Sequence, residues 1–377
     1  PSRGPAAPGP PPTGRRADVE EKHEQVRDFL VQNGYDALVL ARADSIAWFT
    51  AGGDVHRDLA SERAAVMLYI NANSRAVLCD NVQSARVFEE ELAGLGFQIK
   101  ERAWFEDPDR MVGEIGHNKK VAADISLPPW PNELAKLRHL RLRLSARERQ
   151  VLRELGRTLT LAVEATCGNF TTGENEADVA GHLAHRLLRE GIVPVDLRVA
   201  SDDRLARYRQ PIFKAAPIHQ RATIAVVGRR LGLCAGVTRT VAFGAVDRAF
   251  EEAHQLAAMV SATYIYFSRP GEAVREVFRR ARRIYEKFGR PEEWTLDYQG
   301  NLTGYCGSEG LLLPDSDFRL DANMALRWNP SVGSARSEDT VVVDRRGFEV
   351  VTEAQSWPTL DVTVKGYTLP RPGILIR

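Results

Sequence analysis

Cysteine is sparse in this chain of 377 residues. The four that occur, Cys79, Cys167, Cys234 and Cys306, are far apart, with neither Cys-x-x-Cys spacing nor the density of a disulfide framework. A reducing, cytoplasmic setting is expected on that ground. An excess of either charge is also missing, with 51 Lys and Arg against 50 Asp and Glu, and nucleic acid is not expected as a partner. No apolar run reaches the roughly 18 residues that a membrane-spanning helix needs, so no membrane partner is expected. The most telling absence is local: no Asp or Glu occurs between Gln220 and Ala245.

What is present is a globular composition, 44% apolar and 27% charged, with length for two domains of roughly 100–200 residues each. The opening "PSRGPAAPGPPPTGRR" is rich in proline and glycine and cannot bury enough apolar surface to offset chain ordering. It is read as a disordered tail, residues 1–18. From Val19 the apolar spacing becomes helical up to Leu30, "NGYD" stops it, and a buried-strand run follows from Ala37 to Ala41. Strand patterns at "AAVMLYI", "RAVLCD" and "KKVAAD" and a helix pattern at "VQSARVFEEELAGLG" complete an α/β unit, residues 19–142. The proline-rich "SLPPWPNEL" suits a boundary region.

A second unit, residues 143–377, opens at "SARERQVLRELGRTLTLAVEATCGNF", where Ser145 and Glu148 have capping-box spacing. A helix near Glu174 to Glu190 and a strand at "VPVDLRVAS" follow. Downstream, two more helical patterns, "DRAFEEAHQLAAMVSATYIYF" and "EAVREVFRRARRIYEKFG", again lead into strands. A helix pair followed by strands thus occurs twice, as internal pseudo-symmetry would require.

This order, with the phrases "GVTRTVAFG" (Gly236 to Gly244), "GNLTGYCGSEG" (Gly300 to Gly310), "SEDTVVVDRRGFEVVT" (Ser337 to Thr352) and "WFTAGG" (Trp48 to Gly53), resembles the creatinase, prolidase and aminopeptidase P family. The resemblance implies an α/β N-terminal creatinase-like domain, an α+β C-terminal pita-bread domain and a homodimer. Its metallopeptidases hold two divalent ions with two Asp, one His and two Glu, ligands suited to hard or borderline cations. Carried over residue by residue, the two Asp positions fall on Ala225 and Gly236, the His on Asn301 and the first Glu on Asn329. Only Glu338 is retained. The chain is thus similar to a divergent member lacking four of five metal ligands, and no cofactor is expected.

The family's metal-free route, as in creatinase, needs a titrating His. Its two site histidines fall here on Asn301 and Ser308. Other nucleophile or ligand candidates read as structural: Cys234 and Cys306 as buried thiols, and His182 and His185 as one face of a helix. In "YRQPIFK", a loop, Gln210 stands where relatives often carry a His. The pocket that the resemblance outlines contains Arg239, Asn301, Tyr305, Glu309, Arg327, Asn329, Arg336 and Glu338. Two readings are open for it. In one, Arg239 replaces the metal cross-link by an ion pair with Glu338; in the other, the Arg and Asn groups bind a carboxylate or amide of a small amino-acid-like or peptide ligand. The expected function is an inactive homologue serving as a ligand-binding or interaction module. The alternatives are an Xaa-Pro aminopeptidase or dipeptidase, and a metal-independent hydrolase of a small amide or amidine.

Overall fold

The first helix begins before its apolar pattern does. The computed structural model describes residues 13–377, and α1 is Thr13–Asn33, so residues 13–18 of the expected tail are helical. Polar anchoring explains the extension: Arg15 Nε and Nη2 donate to the carbonyls of Thr50 (3.0 Å) and Glu91 (2.6 Å), and buried Asp18 pairs with Lys22 at 2.7 Å. The remainder of the expected tail lies outside the described residues. Chain contacts divide the protein into two units, Pro1–Arg141 and Leu142–Arg377.

In the first unit, β1 (Ala37–Arg42) leads through α2 (Ala43–Phe49) to β2 (Arg63–Asn71) and β3 (Arg75–Asp80). Then come the short α3 (Ser84–Arg86) with a π-turn at Val87–Glu91, β4 (Gln98–Arg102), α4 (Pro108–Ile115), β5 (Val121–Ala123) and α5 (Leu134–Leu140). The sheet order is β4-β3-β2-β1-β5, with β1–β5 and β3–β4 parallel. Every residue of β1 is buried, as the apolar run Ala37 to Ala41 requires, and Arg42 at its end is paired with Asp44 and Glu62. The expected helix over "VQSARVFEEELAGLG" is cut short. Asp80 Oδ1 takes the N–H groups of Val82 (3.0 Å) and Gln83 (2.9 Å) into a turn, and Gly94 and Gly96 stand at φ 72° and 74°.

The second unit begins with α6 (Ala146–Asn169), whose capping box of Ser145 and Glu148 forms as read, and α7 (Glu176–Arg189), capped by Asn175 and Asp178. β6 (Val193–Ser201), α8 (Asp202–Arg207), β7 (Arg221–Arg230) and β8 (Leu233–Ala242) follow, then α9 (Arg248–Phe267) and α10 (Val274–Lys287). The remaining strands are β9 (Gly300–Thr303), β10 (Gly310–Leu311), β11 (Ala325–Trp328), β12 (Ser331–Val332), β13 (Ala335–Arg336), β14 (Asp339–Asp344) and β15 (Gly347–Val350), then β16 (Thr359–Val364), β17 (Tyr367–Pro372) and β18 (Ile374–Ile376). They form one sheet ordered β18-β8-β7-β6, another ordered β10-β9-β11-β14-β15, and two separate hairpins.

The core of this unit packs α9 and α10 on the second sheet, with Trp328 stacked on Tyr264 at 4.2 Å between ring centroids. The two sheets are joined along β8. Gly236 N–H donates to Thr340 Oγ1 (2.8 Å), that hydroxyl donates back to Gly236 O (2.9 Å), and Thr238 N–H reaches Glu338 O (3.3 Å). This join brings the middle of β8 against Glu338 and the centre of β11. Among the described residues no helix is long and apolar enough to cross a membrane.

Candidate functional site

A cleft of about 450 Å³ opens in the second unit, lined by β6 and β7 on one side and by β9, β11 and the loop after it on the other. Strand alternation selects its wall. In the antiparallel register Arg198 stands opposite Ala225 and Ala225 opposite Thr238, while Asp196 is opposite Val227 and Val227 opposite Gly236. These two rows carry the cleft face of the sheet. They include Ala225 and Gly236, where the resemblance places two metal-bridging aspartates.

The space beside Gly236 is filled by an arginine. A Cβ built on Gly236 would meet Arg327 Cδ at 2.5 Å, Arg327 Nη1 at 3.0 Å and Glu338 Oε1 at 3.2 Å. Only glycine lets the Arg327 stem lie against β8. Arg327 reaches there because it pairs across β11 with Asn301 on β9 and Thr340 on β14, the residue that pins Gly236. Arg327 Nε donates to Asn301 Oδ1 at 3.1 Å and lies 3.4 Å from Glu338 Oε1. Asn301 turns its Nδ2 to the carbonyls of Leu302 (3.2 Å) and Gly307 (2.7 Å), which leaves its oxygen for the guanidinium. Glu338, 4% exposed, also accepts the Thr238 hydroxyl at Oε2.

A second polar cluster lies at the other end of the cleft. Arg336 donates to Asn329 Oδ1 (2.6 Å), to Arg209 O (2.7 Å) and to Asp297. Gln210 donates to both oxygens of Asp297 (2.7 and 2.9 Å) and accepts from Arg198, which also holds Asp196 at 2.9 Å. Arg209 pairs with Glu293 at 2.6 Å. Leu205, Tyr208, Pro211, Tyr298 and Leu311 supply apolar lining. Asp196, Arg198, Arg209 and Asp297 lie outside the phrases that outline the pocket in the sequence. For Arg198 a signal existed, since "VPVDLRVAS" was read as a strand preceding the hairpin that carries Ala225.

Three of the outlined pocket residues do not line the cleft. Arg239 points to the opposite face of its sheet, because Thr238 and Thr240 flank it in an alternating strand. Instead of Glu338 it meets Glu164 and Asp339, each at 3.4 Å, and donates to Thr238 O (2.9 Å) and Thr352 O (3.0 Å); burial pushes its pKa down to about 10 despite the opposing pull of Glu164. Glu338 is paired with Arg327. Tyr305 is buried and donates to Glu148 at 2.7 Å, in the α6 capping box. Glu309 accepts the N–H groups of Tyr305 (2.9 Å) and Cys306 (3.1 Å), closing the turn after β9. Asn301, Arg327, Asn329, Arg336 and Glu338 do line the cleft, with Ser308 and Gln210. Cys234 is buried, Cys306 half-buried, and neither belongs to the lining; His182 and His185 are exposed on α7.

The donor set does not fit a pair of divalent cations. Of the five positions where the resemblance places ligands only Glu338 bears a charge, and its carboxylate already faces a guanidinium and a hydroxyl. Among the described residues no group of three His, Cys, Asp or Glu is disposed to hold a metal. No histidine lines the cleft. Its free capacity is for accepting groups: Arg327 Nη1 and Nη2 and Asn329 Nδ2 make no hydrogen bond to any described residue.

Comparison with known proteins agrees with this architecture. A curated Xaa-Pro dipeptidase of Pyrococcus horikoshii is 19% identical over 371 residues, 89% of this chain and 98% of the dipeptidase. Among solved structures, an Xaa-Pro dipeptidase from Bacillus anthracis superposes with a TM-score of 0.76 at 18% identity, over 95% of this chain and 100% of that one. The N-terminal domain of the FACT complex subunit SPT16 from chickpea, Cicer arietinum, gives 0.68 at 13% identity, over 90% and 96%. At these identities the structures establish the prolidase-like, pita-bread fold alone. Residues 150–345 match metallopeptidase family M24, and the chain belongs to that family.

Proposed function

We propose that the cleft of the second unit binds a small carboxylate-bearing, amino-acid-like or peptide-like ligand and does not work as a two-metal peptidase site. The observation that carries this reading is the position of Arg327, whose stem fills the space beside Gly236 and whose charge faces Glu338. A fixed cation there takes over neutralisation of the retained acid. The terminal N–H groups of a guanidinium match a carboxylate in the bidentate manner. Asn329 Nδ2 offers a donor for a carbonyl, and the Tyr208, Tyr298 and Leu311 side of the cleft accepts an apolar group.

Thermal shift of the full chain tests the reading, because a ligand that prefers the folded state raises Tm, by about 2.7 kcal/mol of stability at a concentration of 100 Kd. N-acyl amino acids and dipeptides are expected to stabilise and their C-terminal amides are not, with the difference lost in Arg327→Met. Equal stabilisation by acids and amides, or none by either, would refute it. The competing reading is an Xaa-Pro hydrolase, favoured by similarity to Xaa-Pro dipeptidases over nearly the whole chain. It requires metal and turnover of Xaa-Pro peptides, both abolished by Glu338→Gln.

A further inference from the structure

The hairpin β16–β17 has two edges of different character. Lys365 and Gly366 join its strands at φ 52° and 82°, the backbone of a two-residue type I′ turn. The pair flanking such a turn, Val364 and Tyr367, exchanges hydrogen bonds, and so do the alternate pairs Val362–Leu369 and Leu360–Arg371. The intervening pairs Thr363–Thr368, Asp361–Pro370 and Thr359–Pro372 therefore direct their backbone polar groups away from the ladder. Pro370 and Pro372 fall in this set and have no N–H to donate. The outer edge of β17 is thus blocked, and Pro372 O is further occupied by Nε2 of His254 at 3.0 Å.

The outer edge of β16 has no such guard. The N–H groups of Thr359, Asp361 and Thr363 donate to no described residue. This edge borders a groove of about 630 Å³, lined by five successive residues of β16, Leu360 to Val364, and floored by Gln255, Met259, Thr263 and Phe267 of α9. The opposite wall is α10 and the residue after it, with Arg280, Arg283, Ile284, Lys287 and Phe288. Among the lining residues the charge is one-sided, with Arg280, Arg283, Lys287 and Lys365 against Asp361, although Arg280 also pairs with Glu272 at 3.8 Å. Arg283 and Lys365 form no ion pair with any described residue, and Arg280 lies over the Phe267 ring at 4.2 Å. Phe288 is 45% exposed.

We infer that this groove is a docking site for an extended acidic segment of another protein, which adds as a strand to β16. Strand addition uses open N–H and C=O groups for affinity and flanking side chains for selection. Acidic residues on one face of such a strand meet Arg283, Lys287 and Lys365, and apolar residues on the other meet Met259, Phe267 and Phe288. Six residues of β16 span roughly 20 Å at the rise of a strand, enough for a hexapeptide.

The test uses the full chain and two capped hexapeptides, Glu-Val-Glu-Val-Asp-Val and its Lys-Val-Lys-Val-Lys-Val counterpart, followed by fluorescence anisotropy and amide hydrogen exchange. The acidic peptide is expected to bind, to slow exchange at Thr359, Asp361 and Thr363, and to weaken as salt rises. Thr363→Pro, which removes an outward donor as Pro370 does on the other edge, and Arg283→Glu are each expected to weaken it about tenfold. Far-ultraviolet circular dichroism checks that both variants fold, and Arg283→Glu leaves the backbone edge intact. Equal binding of the two peptides, binding without protection at β16, or binding unchanged in Arg283→Glu would overturn the inference. So would protection of β16 by self-association of the chain without peptide, detected by sedimentation.

Discussion

Arg327 and Gly236 behave as one feature at the scale of single residues. Arg327→Ala leaves Glu338, 4% exposed, without its cation and is expected to cost about 1–3 kcal/mol in urea unfolding. Gly236→Ala pushes a methyl into Arg327 Cδ and should cost a similar amount by overpacking. In the double variant the clash with Arg327 is gone, so it should cost less than the sum of the two single costs, a non-additivity that contact between the residues requires. His254 gives a pH signature. Burial lowers its pKa below the ordinary 6.5, and its Nε2–H donates to Pro372 O, so the folded state holds it neutral. The unfolded chain takes up a proton that the fold refuses, and this contribution, complete above 6.5, is lost as pH falls below it. The Tm of the wild type should therefore drop more between pH 7 and 5 than that of His254→Leu. The misassigned partner of Glu338 was also decided at this scale. Thr-Arg-Thr in a strand sends Arg239 to the face opposite both threonines, so period two alone separates it from Glu338.

At the scale of elements, α6 meets the loop after β15 at Gly156. A Cβ there would lie 2.2 Å from Val351 O and 2.8 Å from Val351 C, backbone atoms that cannot swing aside. Gly156→Ala is expected to destabilise by about 1–3 kcal/mol, despite the better helix propensity of alanine, and to lower Tm by roughly 2–4 °C for each kcal/mol. Elements with strong local signals were legible: the Ser145 and Glu148 cap, the run at Ala37, the strand Val193–Ser201. The helix expected after Asp80 was not. Its apolar spacing continues through Leu92, while a side chain to backbone turn at Asp80 and two left-handed glycines shorten it. The onset of α1 was hidden for the converse reason, because Arg15 and Asp18 are ordered by distant backbone and by Lys22, contacts that apolar periodicity does not register.

At the scale of the whole molecule, the order of elements and a few phrases identified the fold and family, since both persist at low identity. The cleft was half legible. Ala225, Gly236, Asn301, Arg327, Asn329, Arg336 and Glu338 were found by position relative to those phrases. Asp196, Arg198, Arg209 and Asp297 come from outside the phrases and converge only through sheet register and loop packing. Whether the Arg327 guanidinium stands in place of metal beside Glu338 is decided by calorimetric titration of Mn²⁺ and Zn²⁺ into the full chain and into Glu338→Gln. With Arg327 neutralising Glu338, no saturable binding that distinguishes the two proteins is expected. Two equivalents bound by the wild type and lost in Glu338→Gln would contradict it.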